Sequence, residues 1–112
     1  MGYEGSTRLP SFTITVAGPP HHARVALAGE VDMLTVPELV MTLHKLLADD
    51  QLRLLDLDLA ELTFLDASGI STIVGAHQAA ARAGCRLRLL RPRAHIRHLL
   101  ELTGINQLCD VI

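Results

Sequence analysis

The segment Asp66-Ala67-Ser68-Gly69 has the clearest chemical potential in this sequence. It joins an apolar segment to an amphipathic one, and its short side chains are typical of a helix start, where Asp66 could accept hydrogen bonds from unpaired N–H groups. The same N–H groups and the helix dipole stabilise an anion, including a phosphorylated hydroxyl. The turn is therefore a candidate switch, although helix capping alone would also explain Asp66 and Ser68.

Asp56 and Asp58 form a second candidate site, because they interrupt an apolar strand and point to the same face. A small α/β enzyme could use Asp56, Asp58 and Asp66 for general acid–base chemistry. No base, nucleophile or metal set accompanies them, so we favour a structural function in which they bond amides near strand ends.

Other motifs for catalysis or metal binding are weak. His95 and His98 stand three residues apart without a third ligand. Cys85 and Cys109 lie in apolar contexts and are predicted to be reduced core residues. The sequence has no phosphate-binding or dinucleotide-binding glycine motif, and Ser68 lacks a nucleophile-elbow pattern. We therefore predict a protein that is not an enzyme and that needs no metal or cofactor.

The charge distribution does not indicate a nucleic acid or a membrane as a binding partner. The 112 residues carry a net charge of −2, with no Trp, one Tyr and two Phe. The basic residues are concentrated late in the chain, at Arg82, Arg86, Arg88, Arg91, Arg93 and Arg97. Nine of the twelve acidic residues lie between Glu30 and Asp66, which we call the acidic half. The basic segment could dock an acidic partner, or it could form a solvated face paired with the acidic half, which we favour. Reduced cysteines and the absence of a signal segment indicate a cytoplasmic protein.

The hydrophobic periodicity predicts a single α/β domain with the order β-β-α-β-α-β-α-β. Residues 1–10 are polar and are expected to be a flexible tail, which leaves 11–112 as the domain. The alternating part implies a mixed, mostly parallel sheet of four to five strands with packed helices. Thr35-Val36-Pro37-Glu38 fits a capping box at the first helix, and a loop is expected from Ala60 to Ser68.

Three segments, Leu27–Asp32, Leu62–Ile70 and Leu99–Ile105, resemble the STAS domain of the bacterial anti-sigma factor antagonist (anti-anti-sigma factor) family. With the element order, the resemblance covers residues 12–112. It implies a protein-binding switch that is not an enzyme. Family members bind an anti-sigma factor, often a serine kinase, and so release a sigma factor for transcription. The kinase phosphorylates a hydroxyl in the turn, the phosphorylated antagonist dissociates, and a phosphatase resets it.

The resemblance places a partner-binding surface at Glu30, Asp32, Asp66, Ala67, Ser68, Gly69 and Ile70. In the family, the phosphoacceptor usually follows the Asp directly, and that position here is Ala67. Either Ser68 accepts the phosphate, or the antagonist is not switched at this turn. A STAS scaffold or sensor subunit of a larger regulatory assembly is the remaining alternative in this class.

Overall fold

A computed structural model of the chain describes residues 2–112, which form a single sheet with helices between its later strands. The helices are α1 (Val36–Leu47), α2 (Ala67–Arg82) and α3 (Ala94–Leu102), and a 3-10 turn at Ile105–Gln107 follows α3. The strands are β1 (Tyr3–Leu9), β2 (Phe12–Gly18), β3 (His22–Val31), β4 (Leu54–Leu65), β5 (Arg86–Leu90) and β6 (Asp110–Val111).

The strands lie in chain order across one mixed sheet, β1-β2-β3-β4-β5-β6. Short turns connect β1 to β2 and β2 to β3, so these pairs are antiparallel. The later strands are parallel because a helical crossover stands between each of them. The predicted α/β class and mixed sheet are confirmed, with six strands instead of four or five.

The additional strand is β1, and the prediction of a flexible tail is therefore wrong for Tyr3–Leu9; Met1 lies outside the described residues. β1 pairs with β2 along its whole length, from Leu9 opposite Phe12 to Tyr3 opposite Gly18. Tyr3 and Leu9 are partly buried against the core. Their apolar spacing was obscured by the polar residues that alternate with them, because only one face of this strand meets the core.

The phenol of Tyr3 ties β1 to the residues that follow α1, because its hydroxyl donates a hydrogen bond to Asp49 Oδ2 at 2.6 Å. Burial and this bond raise the pKa of Tyr3 to about 12. Because the pKa is raised in the folded state, the protonated phenol of Tyr3 stabilises the protein below pH 10. This contribution is lost as the pH rises toward 12.

We therefore expect Tyr3→Phe to cost about 1 kcal/mol at pH 7 and to flatten the alkaline loss of stability. Urea unfolding at a series of pH values between about 8 and 12 would measure both effects. An equally steep alkaline loss in Tyr3→Phe would show that this phenol is not the group responsible.

The two faces of the sheet differ sharply in composition. Ile14, Val25, Leu57 and Leu89 are almost completely buried, and they share one core with apolar residues of the helices. The residues that alternate with them are largely polar and form the opposite face, which includes Thr13, Arg24, Asp56, Asp58, Arg86 and Arg88. Right-handed crossovers that all advance in one direction across the sheet place their helices on one side.

β4 is longer than the sequence indicates, and the predicted loop from Ala60 to Ser68 is wrong up to Leu65. Two register shifts in the β3–β4 pairing allow both strands to continue, so that Val31 lies opposite Leu65. Leu62 and Leu65 are buried on the core side. The shifts break the regular alternation of apolar residues, which is why the segment reads as a loop in sequence.

Within residues 2–112, none of the helices combines the length and the apolar character needed to cross a lipid bilayer.

Candidate protein-interaction surface

Asp66 is the N-cap of α2, as predicted. Its Oδ1 accepts hydrogen bonds from the backbone N–H groups of Ser68 at 2.9 Å and Gly69 at 3.1 Å. The Ser68 hydroxyl donates to the same oxygen at 2.5 Å. This hydroxyl bond and the two N–H bonds lower the pKa of Asp66, so the carboxylate is ionised at neutral pH. The turn therefore presents a fixed negative charge at the positive end of the helix.

Ala67 and Ser68 differ in what they present to solvent. Ala67 is exposed at the first position of α2, whereas Ser68 is partly buried and its hydroxyl is bonded to Asp66. Phosphorylation of Ser68 would require this bond to break and would place a phosphate beside an ionised carboxylate. The turn thus exposes the methyl group of Ala67 to solvent, whereas the hydroxyl of Ser68 is used in a contact with Asp66.

Gly69 brings the start of α2 against the ends of β3 and β4. A Cβ atom at this position would lie 2.3 Å from Leu65 Cδ1 and 2.8 Å from Val31 Cγ1, which is too close for real atoms. Ile70 is also partly buried against the core, and its N–H donates to the Asp66 carbonyl at 3.0 Å. Gly69 and Ile70 therefore anchor the turn and present little surface to a partner.

The pairing of β3 with β4 places the other predicted residues beside this turn. Glu30 lies opposite Phe64, and the Asp66 N–H donates to the Val31 carbonyl at 3.2 Å. Asp32 follows Val31 directly, so the structure brings the loop that follows β3 next to the start of α2. The paired ends of β3 and β4 thus bring together residues that are more than thirty positions apart in sequence.

The loop from Asp32 to Thr35 is held by its own hydrogen bonds. Asp32 Oδ1 accepts from the N–H groups of Leu34 at 2.9 Å and Thr35 at 3.2 Å. The buried Thr35 hydroxyl donates to the Glu30 carbonyl at 2.9 Å and accepts from the Asp32 N–H. The capping box predicted at Thr35 is therefore wrong, because that hydroxyl is used inside the loop and makes no side-chain cap on α1.

This rigid loop displays two large apolar side chains that the sequence reasoning missed. Met33 is 77% exposed and Leu34 is 86% exposed, and Phe64 adds a half-exposed ring next to Glu30. The signal available in the sequence was a pair of adjacent apolar residues between two polar residues that favour loops, Asp32 and Thr35. We call the set that combines these side chains with the acidic residues the strand-end surface: Glu30, Asp32, Met33, Leu34, Phe64, Asp66 and Ala67.

Asp56 and Asp58 lie on the opposite face of the sheet, away from Asp66. Asp56 is fully buried, and its two carboxylate oxygens accept hydrogen bonds from Arg88 at 2.7 and 2.8 Å and from His22 at 2.7 Å. Burial opposes ionisation, but these donors outweigh it and lower the pKa of Asp56. Asp58 is bonded to Arg91 and to the Ala60 N–H. Only Asp58 thus bonds an amide. Asp56 forms a cross-strand ion pair with Arg88, and Asp58 forms an ion pair with Arg91, the residue that follows β5.

The same contacts account for most of the basic segment. Four of its arginines form ion pairs with acidic residues, in the pairs Arg86–Asp110, Arg88–Asp56, Arg91–Asp58 and Arg93–Glu61. Three of the four acidic partners, Asp56, Asp58 and Glu61, lie in the acidic half, which agrees with the favoured pairing, although Asp56 is buried and not solvated.

Metal-ligating residues do not gather at any point of residues 2–112: no group of three or more His, Cys, Asp or Glu side chains is placed to hold an ion. Cys85 is buried and Cys109 partly buried, both are free thiols, and burial raises the pKa of each. His95 bonds the Thr63 carbonyl at 2.7 Å through Nε2.

The fold and the strand-end surface define a small mixed-sheet α/β domain with a capped acidic turn at the end of its parallel strands. The chain belongs to the STAS domain family: the family model described as "Mlab, STAS domain" matches residues 14–110.

Relatives and solved structures agree with this assignment. An anti-sigma-B factor antagonist of Staphylococcus aureus is 31% identical over 87 residues, covering 78% of this chain and 80% of the relative. The anti-sigma-B factor antagonist of Listeria monocytogenes is 26% identical over 90 residues, covering 80% and 78%. The crystal structure of an anti-sigma factor antagonist from Mycobacterium paratuberculosis superposes with a TM-score of 0.82 at 23% identity, covering 94% of this chain and 89% of that one, which is a similarity of fold.

Proposed function

We propose that this protein is an anti-sigma factor antagonist, which binds an anti-sigma factor through the strand-end surface and thereby releases a sigma factor for transcription. Its partner would be an anti-sigma factor of the serine kinase type. The relatives named anti-sigma-B factor antagonists support the general activity, because they align with more than three quarters of the chain. The protein would act by reversible binding, without chemistry of its own.

One observation carries the choice of surface: the exposed pair Met33 and Leu34 is held next to the acidic turn at Asp66. Protein interfaces gain most of their affinity from a few apolar side chains that become fully buried, surrounded by polar residues that set orientation. A preformed loop lowers the entropy lost on binding, because its backbone is already ordered by Asp32 and Thr35.

We further propose that phosphorylation does not switch this antagonist at the turn. Ala67 has no hydroxyl, and the Ser68 hydroxyl is bonded to Asp66. In a switched member, a phosphate would add nearly two negative charges to a surface that already carries Glu30, Asp32 and Asp66, and would repel the partner. Without that group, binding would be governed by the amounts of the two proteins.

The test is to incubate the purified protein with candidate anti-sigma kinases and ATP, and to read intact mass and binding in the same samples. We expect tight binding with no phosphate-sized gain in mass. The matched variant Ala67→Ser restores a hydroxyl at the family's usual position, and we expect it to gain a phosphate and to dissociate. A phosphate mapped to Ser68 in the wild type, with loss of binding, would overturn the unswitched mechanism.

The strand-end surface predicts a strong effect of a charge at Leu34. Leu34→Asp should weaken binding of the anti-sigma factor at least about tenfold, because it puts a charge where an apolar side chain is to be buried. Leu102→Asp is the matched control, since Leu102 is 71% exposed on the last turn of α3 and lies outside this surface. Calorimetric titration of both variants measures the difference, and equal affinities would exclude the surface.

The alternative of a STAS scaffold or sensor subunit is favoured by one specific observation, the alanine at the usual phosphoacceptor position. A scaffold would migrate in a large complex in cell lysate, whereas an antagonist would form a small complex with a single anti-sigma factor. Failure of the purified protein to bind any candidate anti-sigma factor, together with a large native complex, would select the scaffold.

A further inference from the structure

β1 is an edge strand whose outer side has no partner within residues 2–112. It is seven residues long and is paired to its end, so it offers an extended backbone for pairing with another strand. The opposite edge of the sheet is the two-residue β6. The first edge is therefore where this sheet can be extended.

The backbone groups of Glu4, Ser6 and Arg8 point outward along this edge. The Glu30 N–H donates to the Ser11 carbonyl at 2.9 Å, which marks the odd-numbered positions of β2 as those bonded to β3. The even-numbered positions of β2 then bond to β1, through Phe12–Leu9, Ile14–Thr7 and Val16–Gly5. Alternation in an antiparallel ladder leaves the N–H and C=O groups of Glu4, Ser6 and Arg8 free for a new strand.

The side chains of the same three residues are self-complementary. In an antiparallel pairing of two β1 strands centred on Ser6, Glu4 of one copy lies opposite Arg8 of the other, and the reverse pair forms across the two-fold axis. On the core side, the same register sets Tyr3 opposite Leu9. Opposite charges directly across a ladder stabilise the pairing, whereas like charges oppose it.

Within one chain, these charges have no such partner. Glu4 lies opposite Ala17 and Arg8 opposite Thr13, and none of the ion pairs among the described residues includes either side chain. Both are exposed.

We propose that two copies of this chain associate through β1, in antiparallel register about Ser6, to form one continuous sheet. A two-fold axis perpendicular to the sheet keeps the helix layers of both copies on the same side. A seven-residue edge is small beside the interfaces of stable dimers, so the association is weak and reversible. It leaves the strand-end surface free, and it does not depend on the proposed function.

The test is sedimentation velocity of the untagged chain over a concentration series up to about 1 mM, the upper range for a weak complex. Glu4→Arg and Arg8→Glu each turn two attractive pairs into two repulsive ones, and we expect each to weaken dimerisation about tenfold or more. The double variant Glu4→Arg/Arg8→Glu exchanges the charges and should restore the wild-type dimer.

Circular dichroism and thermal unfolding of each variant serve as the control for folding, since both side chains are exposed and form no ion pair among residues 2–112. Loss in both single variants with recovery in the double variant would establish this register. A wild type that remains monomeric at about 1 mM, or a dimer that the single variants do not weaken, would overturn the proposal.

Discussion

Replacing Asp56 with alanine should destabilise the protein by about 2–4 kcal/mol, among the largest effects expected of a single change in this chain. The carboxylate is fully buried and neutralises Arg88 while also bonding His22. Its removal leaves a guanidinium without its partner in a partly buried position, and solvent compensates only in part because the Arg88 side chain is 26% exposed. Urea unfolding at pH 7 measures the change.

The exposed pair Arg86–Asp110 on the same face is the matched control for this prediction. Asp110→Ala removes a carboxylate from a pair whose side chains are 69% and 45% exposed, and it should cost less than about 1 kcal/mol. Similar losses of stability in both variants would contradict a special contribution of burial.

The pKa of Asp56 is lowered in the folded state, so the stabilisation by its ionised carboxylate is present above the ordinary pKa of 3.8. It is lost as the pH falls through the lower folded-state pKa.

Gly69→Ala should destabilise the protein by about 1–3 kcal/mol, although alanine is the better helix former. The new methyl group would overlap Leu65 and Val31, which belong to the core at the strand ends. Either the packed side chains of Leu65 and Val31 would have to shift, or the start of α2 would have to move outward together with the cap at Asp66. Unfolding free energy measures the loss, and the affinity for the anti-sigma factor should fall in the same variant.

Gly75→Ala, in the same helix, is expected to change stability in the opposite direction. A Cβ at Gly75 meets open space, so the helix propensity of alanine should stabilise the protein by about 0.5–1 kcal/mol. If both alanine variants changed stability in the same direction, close packing of α2 against the strand ends would not be the reason for glycine at position 69.

Much of the fold follows from local patterns in the sequence. Asp66 caps α2 because its side chain reaches N–H groups only two and three residues away, which is a purely local interaction. Apolar spacing likewise predicted the later strands, the helices and the mixed α/β class. The capping box at Thr35 failed because its hydroxyl donates to the carbonyl of Glu30, five residues earlier at the end of a strand, and so does not cap α1.

Pairing between strands decided what the pattern within each segment could not. β1 is held by its ladder with β2 and by the contact of Tyr3 with Asp49, so its polar sequence gave little sign of a strand. The extension of β4 depends on two register shifts against β3, which disturb the alternation on which strand prediction rests. The partner of extended β4 is thus a strand more than thirty positions away, whereas β1 is held by a neighbouring strand and by Asp49, which is 46 positions from Tyr3.

The candidate site divides in the same way. The sequence by itself determined the family resemblance, the acidic turn at Asp66 and the missing hydroxyl at Ala67, because each depends on residue types at neighbouring positions. Only the tertiary structure decided that the Ser68 hydroxyl turns inward, that Asp56 is sealed between Arg88 and His22, and that Met33 and Leu34 stand exposed beside the turn. Burial and contact are set by which segments pack together, and a linear pattern does not carry that information.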